Sequence, residues 1–179
     1  MLDTLVIICT AATFASHVWS TRAHFVMSEM QPGAKLVVAK VLVGIATLSF
    51  ITVYYEQPPT AQWLGLGLVC VAFILFWVTV RETRSARLRA VFTKADPASL
   101  VRTGPYAFVR HPFYTSYLTF WAGLAISSWS VIGAVFFIGS FCIYWYAAGV
   151  EEQKFLASDM ADDYREFAAN RARFFPPFL

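Results

Sequence analysis

Ala98-Ser-Leu-Val-Arg-Thr-Gly-Pro-Tyr-Ala-Phe-Val-Arg-His-Pro-Phe-Tyr114 lies between two long apolar runs. It carries seven polar or ionisable side chains, Ser99, Arg102, Thr103, Tyr106, Arg110, His111 and Tyr114, in a chain that is otherwise mostly apolar. Gly104-Pro105 reads as a turn. Arg110-His111-Pro112 reads as a helix start, because a residue before proline is driven out of the helical region and proline suits the first helical position. His111 is then the last extended residue, and Tyr114 falls in the first turn after it. The free N–H groups of that turn, with His111 beside them, suit an anionic or polar ligand group. Lipid phosphates alone would account for the arginines. They would not demand Gly-Pro-Tyr followed by Arg-His-Pro-x-Tyr.

The rest of the chain says where this stretch sits. Of 179 residues 58% are hydrophobic and 14% charged, and mean hydropathy is +0.57. A soluble domain has roughly a quarter of its residues charged. The chain therefore reads as an all-α integral membrane protein. A helix crosses the hydrocarbon with about 20 residues, fewer if it sits low or pairs with a short neighbour. Five runs qualify, near 2–20, 35–55, 61–80, 112–128 and 130–150. The last two are separated by Ser128-Trp129-Ser130 and form a tight hairpin. Every Lys and Arg falls in three segments, 20–40, 81–111 and the part after 150. Five spans put all three on one face. The positive-inside rule makes that face cytoplasmic, with the N-terminus outside and the C-terminus in the cytoplasm. The length fits one domain, 1–179, made of two N-terminal spans (1–60) and a core (61–179). The first run has Asp3 where a signal peptide would be basic, so it reads as a retained span.

Other features are given structural readings. Cys9, Cys70 and Cys142 are far apart, fit no metal-ligand spacing and read as buried small apolar residues. No metal is expected. His17 and His24 read as interfacial, Gly65 and Gly67 as points of close helix approach. Glu29 to Gly33 and Glu56 to Pro59 read as turns, and Arg81 to Arg89 as a basic extension of the third span that attracts anionic lipid. Nucleic acid is excluded as a partner, since the basic residues sit at span ends. Leu156, Met160, Tyr164 and Phe167 recur at helical spacing and predict an amphipathic helix against the membrane or the loop. The ending Arg171-Ala-Arg-Phe-Phe-Pro-Pro-Phe-Leu suits an interfacial anchor or the rim of a lid.

The hairpin of spans four and five brings the loop ending at His111 next to Glu151-Glu152. Consecutive helical residues point about 100° apart, so one of the two carboxylates faces inward. His111, Tyr114 and that glutamate are expected to line one pocket.

Taken together, Gly104-Pro105-Tyr106, Arg110-His111-Pro112-Phe113-Tyr114, Glu151-Glu152, Tyr164 and Arg173-Phe174-Phe175-Pro176 resemble the isoprenylcysteine carboxyl methyltransferase family and its bacterial relatives. Phospholipid N-methyltransferases share the Arg-His-Pro-x-Tyr and Glu-Glu parts. The resemblance covers roughly residues 60–179. It implies an S-adenosylmethionine-dependent enzyme whose loop and C-terminal helix form the cofactor pocket. Carried over by position, Ala98, Ser99, Leu100, Val101, Tyr106, His111, Pro112, Phe113, Tyr114 and Glu152 would contact the cofactor. Glu152 suits its ammonium, and His111 and Tyr114 its carboxylate. The acceptor would be lipidic.

The acceptor side departs from the family. Where these carboxyl methyltransferases carry an arginine, four residues before the second glutamate, this chain has Ala148, and Asn170 stands where a basic residue is often found. Either Arg173 takes over the substrate carboxylate or the acceptor is not a carboxylate. For an amine acceptor Glu151 is the nearest base. Two other classes share parts of the pattern. Sterol reductases carry Arg-His-Pro but follow it with Asn-Tyr and Gly-Glu, where this chain has Phe113-Tyr114 and Thr115-Ser116. A lipid-binding protein without catalysis would also tolerate Ala148.

Overall fold

The computed structural model describes residues 2–23, 32–84 and 99–176. Among them every regular element is helical: α1 (Leu2–Ala23), α2 (Pro32–Tyr54), α3 (Pro59–Thr83), α4 (Pro112–Ser128), α5 (Val131–Leu156) and α6 (Ala161–Ala169), with a 3₁₀ turn at Gly104–Ala107. The punctuation explains the ends. Pro59 and Pro112 open α3 and α4. Pro32 opens α2, so Pro32-Gly33 begin a helix rather than complete a turn. Glu29, Met30, Gln31 and His24 lie outside the described residues, as do Arg87 and Arg89. At the hairpin, Trp129 takes a left-handed conformation (φ 42°), and the Ser130 hydroxyl accepts a hydrogen bond from Gly133 N at 3.1 Å to cap α5.

Three helices are long and apolar enough to cross a membrane, over Leu2–Ser20, Pro59–Thr83 and Val131–Leu156. α2 has 23 residues, Pro32–Tyr54, and Ala39–Tyr54 within it is apolar. α4 has 17 residues, about 26 Å at 1.5 Å per residue, against a hydrocarbon core of about 30 Å. The outer surface of the bundle is apolar, with Ile8, Trp63, Leu64, Val71, Ile74, Val135 and Ile138 all exposed.

α3 and α4 share the largest interface. Small residues make it close. A Cβ on Gly65 would stand 2.6 Å from the Gly123 carbonyl oxygen, and one on Gly123 would stand 2.8 Å from that of Gly65. Gly67 has nothing within 4 Å, so the close approach belongs to Gly65 alone of the two. Ser116 Oγ donates across the interface to Ala72 O at 2.9 Å. Around this seam Leu48, Val69, Ala72, Phe120, Trp121 and Leu124 form the core.

Two readings are corrected here. His17 is not interfacial: its ring lies 4.6 Å from Tyr117, 4.8 Å from Phe76 and 5.4 Å from Phe120, inside the bundle. The helical rotation that buries Thr13 and Ser20 carries His17 inward with them. Cys70 and Cys142 are exposed on the outer apolar surface rather than buried, and only Cys9 is partly covered. A thiol is as compatible with a lipid-like surface as with a core.

Candidate functional site

The site lies where the 99–111 loop, the end of α5 and the chain after α6 meet. The chain after α6 turns back along the loop. Val109 and Ala172 form a parallel bridge. Arg110 N donates to Ala172 O at 2.9 Å, and His111 N to Arg173 O at 3.2 Å. Thr115 Oγ1 donates to Phe174 O at 2.7 Å, and the Phe174 ring packs with Leu118 and Ala148. These contacts hold residues 172–174 as a strap across the start of α4. On α5, Trp145, Ala148 and Glu152 share one face, being three and four residues apart. The strap lies along that face.

Glu152 is the centre. It is buried (8% exposed) and receives three cationic side chains from three directions. Arg173 grips both of its oxygens, Nε to Oε1 at 3.1 Å and an NH2 group to Oε2 at 2.5 Å. His111 Nε2 is 3.0 Å from Oε1, and an Arg110 NH1 group is 3.3 Å from the same atom. Arg173 is further held by its guanidinium carbon 4.2 Å over the Trp145 ring. Glu151 points away from Glu152, as consecutive helical residues must. Its Oε2 reaches His111 Nδ1 at 3.5 Å, and its side chain stays 30% exposed. His111 therefore stands between two carboxylates. Burial lowers its affinity for a proton, but the two carboxylates outweigh burial and leave its pKa above the ordinary 6.5.

Aromatic residues wall the cluster. The Tyr114 ring stacks on His111 at 5.4 Å and on Tyr144 at 5.5 Å. Tyr106 lies close enough to Glu151 to feel its charge. Burial first, and that carboxylate second, hold the Tyr106 phenol well above 10. Burial, then Glu152, likewise raises Tyr164. The Tyr164 hydroxyl lies against Arg110, whose charge and hydrogen bond offset part of that rise. The two form a donor pair beside an otherwise saturated carboxylate.

The expected residues divide into two groups. His111, Tyr114, Glu151, Glu152 and Arg173 converge, with Tyr106 close by. Pro112 and Phe113 do not point at Glu152. Pro112 is buried at the helix start, and Phe113 packs against Phe76 and Val80 of α3, its ring 5.7 Å from that of Phe76. Ser99, Leu100 and Val101 form a half-buried irregular segment, and Ala98 lies outside the described residues. The loop is tied to α3 by a hydrogen bond from Thr103 to Glu82. Gly104, at φ +58°, passes so close that a Cβ there would meet the Glu82 side chain at 2.8 Å.

Sequence reasoning did not assign Arg110, Thr115 or Trp145. Arg110 and Thr115 lie within or next to the Arg-His-Pro-x-Tyr run. Trp145 lies seven residues before Glu152, which places the two on one helix face. That spacing was the available signal. The amphipathic helix is shorter than expected. Leu156 ends α5 and is 42% exposed, whereas Tyr164 and Phe167 of α6 turn inward. α6 lies against the loop, where Arg102 bonds Asp163 at 2.9 Å.

An apolar helical bundle with three helices long enough to cross a membrane, and a buried, charge-lined cluster at one end, has the architecture of a membrane protein. The sequence profile of the phospholipid methyltransferase family matches residues 60–162, more than half of the chain, and the chain belongs to that family. It is a membrane methyltransferase, of a kind that typically uses S-adenosylmethionine. No curated protein matches the chain as a relative. The matched segment holds α3, the loop, α4, α5 and the start of α6. It stops short of Tyr164 and Arg173.

Proposed function

We propose that the protein transfers a methyl group from S-adenosylmethionine to a lipidic acceptor at the cytoplasmic membrane face, with a cofactor site like that of the isoprenylcysteine carboxyl methyltransferases. Five spans, N-terminus outside and C-terminus cytoplasmic, are part of this reading. The observation that carries it is the convergence of Arg110, His111, Glu151, Glu152 and Arg173 on one buried cluster at the end of the matched segment.

The donor set fits the zwitterionic tail of this cofactor. Arg110 and the Tyr164 hydroxyl stand together beside Glu152 and suit a carboxylate. Glu152 already faces three cations, so the ammonium finds its readiest partner in the half-exposed Glu151, with Glu152 fixing the cations around it. Tyr106 and the Ser99–Val101 backbone suit the adenine. When bound, the cofactor supplies an electrophilic methyl group on a sulfonium. The chain supplies alignment and exclusion of water, which is what an in-line displacement needs. The aromatic wall of Tyr114, Tyr117 and Tyr144 serves the second purpose. An amine acceptor must first lose a proton, and Glu151 is the nearest carboxylate to take it, in which case the cofactor ammonium is left to Glu152; a carboxylate acceptor needs no base.

Arg173 is our candidate for holding the acceptor. It lies over Trp145, one turn from Ala148, along the face where carboxyl methyltransferases of the resembling family carry their arginine. Trp145 is 51% exposed on the outer surface, which suits an acceptor arriving sideways from lipid. Calorimetry on the reconstituted protein tests the cofactor assignment. Saturable binding of S-adenosylmethionine and none of NADPH is expected. The reverse would indicate a reductase, and no binding of either a non-catalytic protein.

A further inference from the structure

A second polar feature lies on the far side of the loop. Between residues 102–107 and α6 the surface folds into a cavity of about 300 Å³, lined by Arg102, Ala107, Glu166, Phe167, Asn170 and Arg171. None of the side chains that bind Glu152 lines it.

Its two cations differ. Arg102 is neutralised, with one NH2 group 2.9 Å from Asp163 Oδ1 and NH1 3.4 Å from Glu166 Oε2. Arg171 is not. Its NH1 donates to Phe167 O at 3.2 Å, at the end of α6, and its guanidinium carbon stands 4.7 Å over the Phe167 ring. Its Nε is shielded from solvent and has no hydrogen-bond partner. Arg102, Arg110, Arg165 and Arg173 each have a carboxylate within 4.0 Å, whereas among the described residues Arg171 has none, as is also true of the exposed Arg81 and Arg84. With Nε shielded and NH1 bonded to Phe167 O, the NH2 end is the part of the stacked guanidinium left to donate to an oxyanion. Asn170 offers an amide beside it. Glu166 opposes an anion, but its side chain is 73% exposed and already faces Arg102.

We propose that this cavity is a phosphate site, in which Arg171 holds the oxyanion of a lipid headgroup or of a free phosphate. The cavity is roomier than a lone carboxylate requires, and it sits at the end of an apolar bundle, where headgroup phosphates are concentrated. The inference is independent of the methyl-transfer reading, because it concerns different residues and is read by binding alone.

The test is calorimetry on the full chain in neutral detergent. Dihexanoyl phosphatidylglycerol, inorganic phosphate and uncharged dihexanoyl glycerol are titrated in turn. At least one phosphate probe should bind saturably and the uncharged lipid should not. Arg171→Ala should weaken binding at least about tenfold, as loss of a charge-assisted contact does. Ala107→Phe, which fills the cavity and keeps every charge, should weaken it as well, and decides the matter if Arg171→Ala fails to fold. Binding of the lipid probe alone assigns the headgroup; equal binding of inorganic phosphate assigns the phosphate group itself. No saturable phosphate binding by the wild type, or unchanged binding in Ala107→Phe, overturns the proposal.

Discussion

Replacing Glu152 with Gln removes one charge and leaves the shape almost unchanged. In the wild type that carboxylate is held by Arg173 on both oxygens, with His111 and Arg110 closing on Oε1. The amide of Gln would turn a donor toward one of these donors and leave the buried cations uncompensated. Breaking a buried pair in this way costs about 3–5 kcal/mol. The Arg110 and Arg173 side chains keep 20% and 21% exposure, so water offsets part of the loss and about 3 kcal/mol is the fitting figure. For a chain of this size that lowers Tm by roughly 6–12 °C. The strap should loosen too, because Arg173 is one of its main ties. The pH dependence carries a sign. His111 has a raised pKa in the folded protein, so its stabilising contribution is full below the ordinary 6.5 and is lost as pH rises through the raised value. Without the Glu152 charge, burial counts for more and that loss on alkalinisation should shrink. Thermal unfolding in detergent across this pH range, with tryptic cleavage after Arg171 and Arg173 as a second readout, checks both effects. A Tm within about 2 °C of wild type, with an unchanged pH profile, would refute the ion cluster as a structural centre.

Other perturbations separate the remaining parts of the account. His111→Ala and Glu151→Gln should each weaken S-adenosylmethionine about ten- to a hundred-fold in calorimetry; unchanged affinity in both would remove the pocket. Arg173→Ala should raise KM or lower kcat for methyl transfer with cofactor affinity retained, and full turnover would point to a neutral or amine lipid instead. Gly65→Leu should destabilise the α3–α4 seam by about 1–3 kcal/mol through overpacking, whereas Gly67→Leu should be nearly neutral, as measured by thermal unfolding. Cysteine labelling should find the 81–111 loop on the cytoplasmic side, and external labelling would reverse the orientation.

The local signals were legible where backbone chemistry dictates them. Pro112 after His111 fixed the start of α4, whereas the expectation that only one of the adjacent glutamates faces inward did not anticipate that both reach His111, Glu152 buried and Glu151 partly exposed. The return of the strap was not legible. Its parallel bridge to Val109 and the bond from Thr115 to Phe174 O are long-range, and no short-range pattern encodes them. The environment of Glu152 followed from that return, since Arg173 reaches it only because residues 172–174 lie along the loop. His17 was misplaced because hydropathy locates a span's end but not its rotation, and rotation set the ring against Phe76 and Tyr117. Phe113 was grouped with the site because it sits inside the motif, yet the first turn of α4 aims it at α3. The span count rests on apolar run length, and the 112–128 run returns as α4 over the same 17 residues, at the short end of what crosses a bilayer.

The central claim is methyl transfer, and it has one direct test. The reconstituted protein is incubated with a membrane lipid extract and S-adenosylmethionine carrying a deuterated methyl group, and the lipids are examined by mass spectrometry. The account predicts that one lipid class gains the labelled methyl with wild-type protein and loses that gain with Glu152→Gln. Equal labelling by wild type and Glu152→Gln, or no labelled lipid from a wild type that is folded and saturated with cofactor, would contradict it.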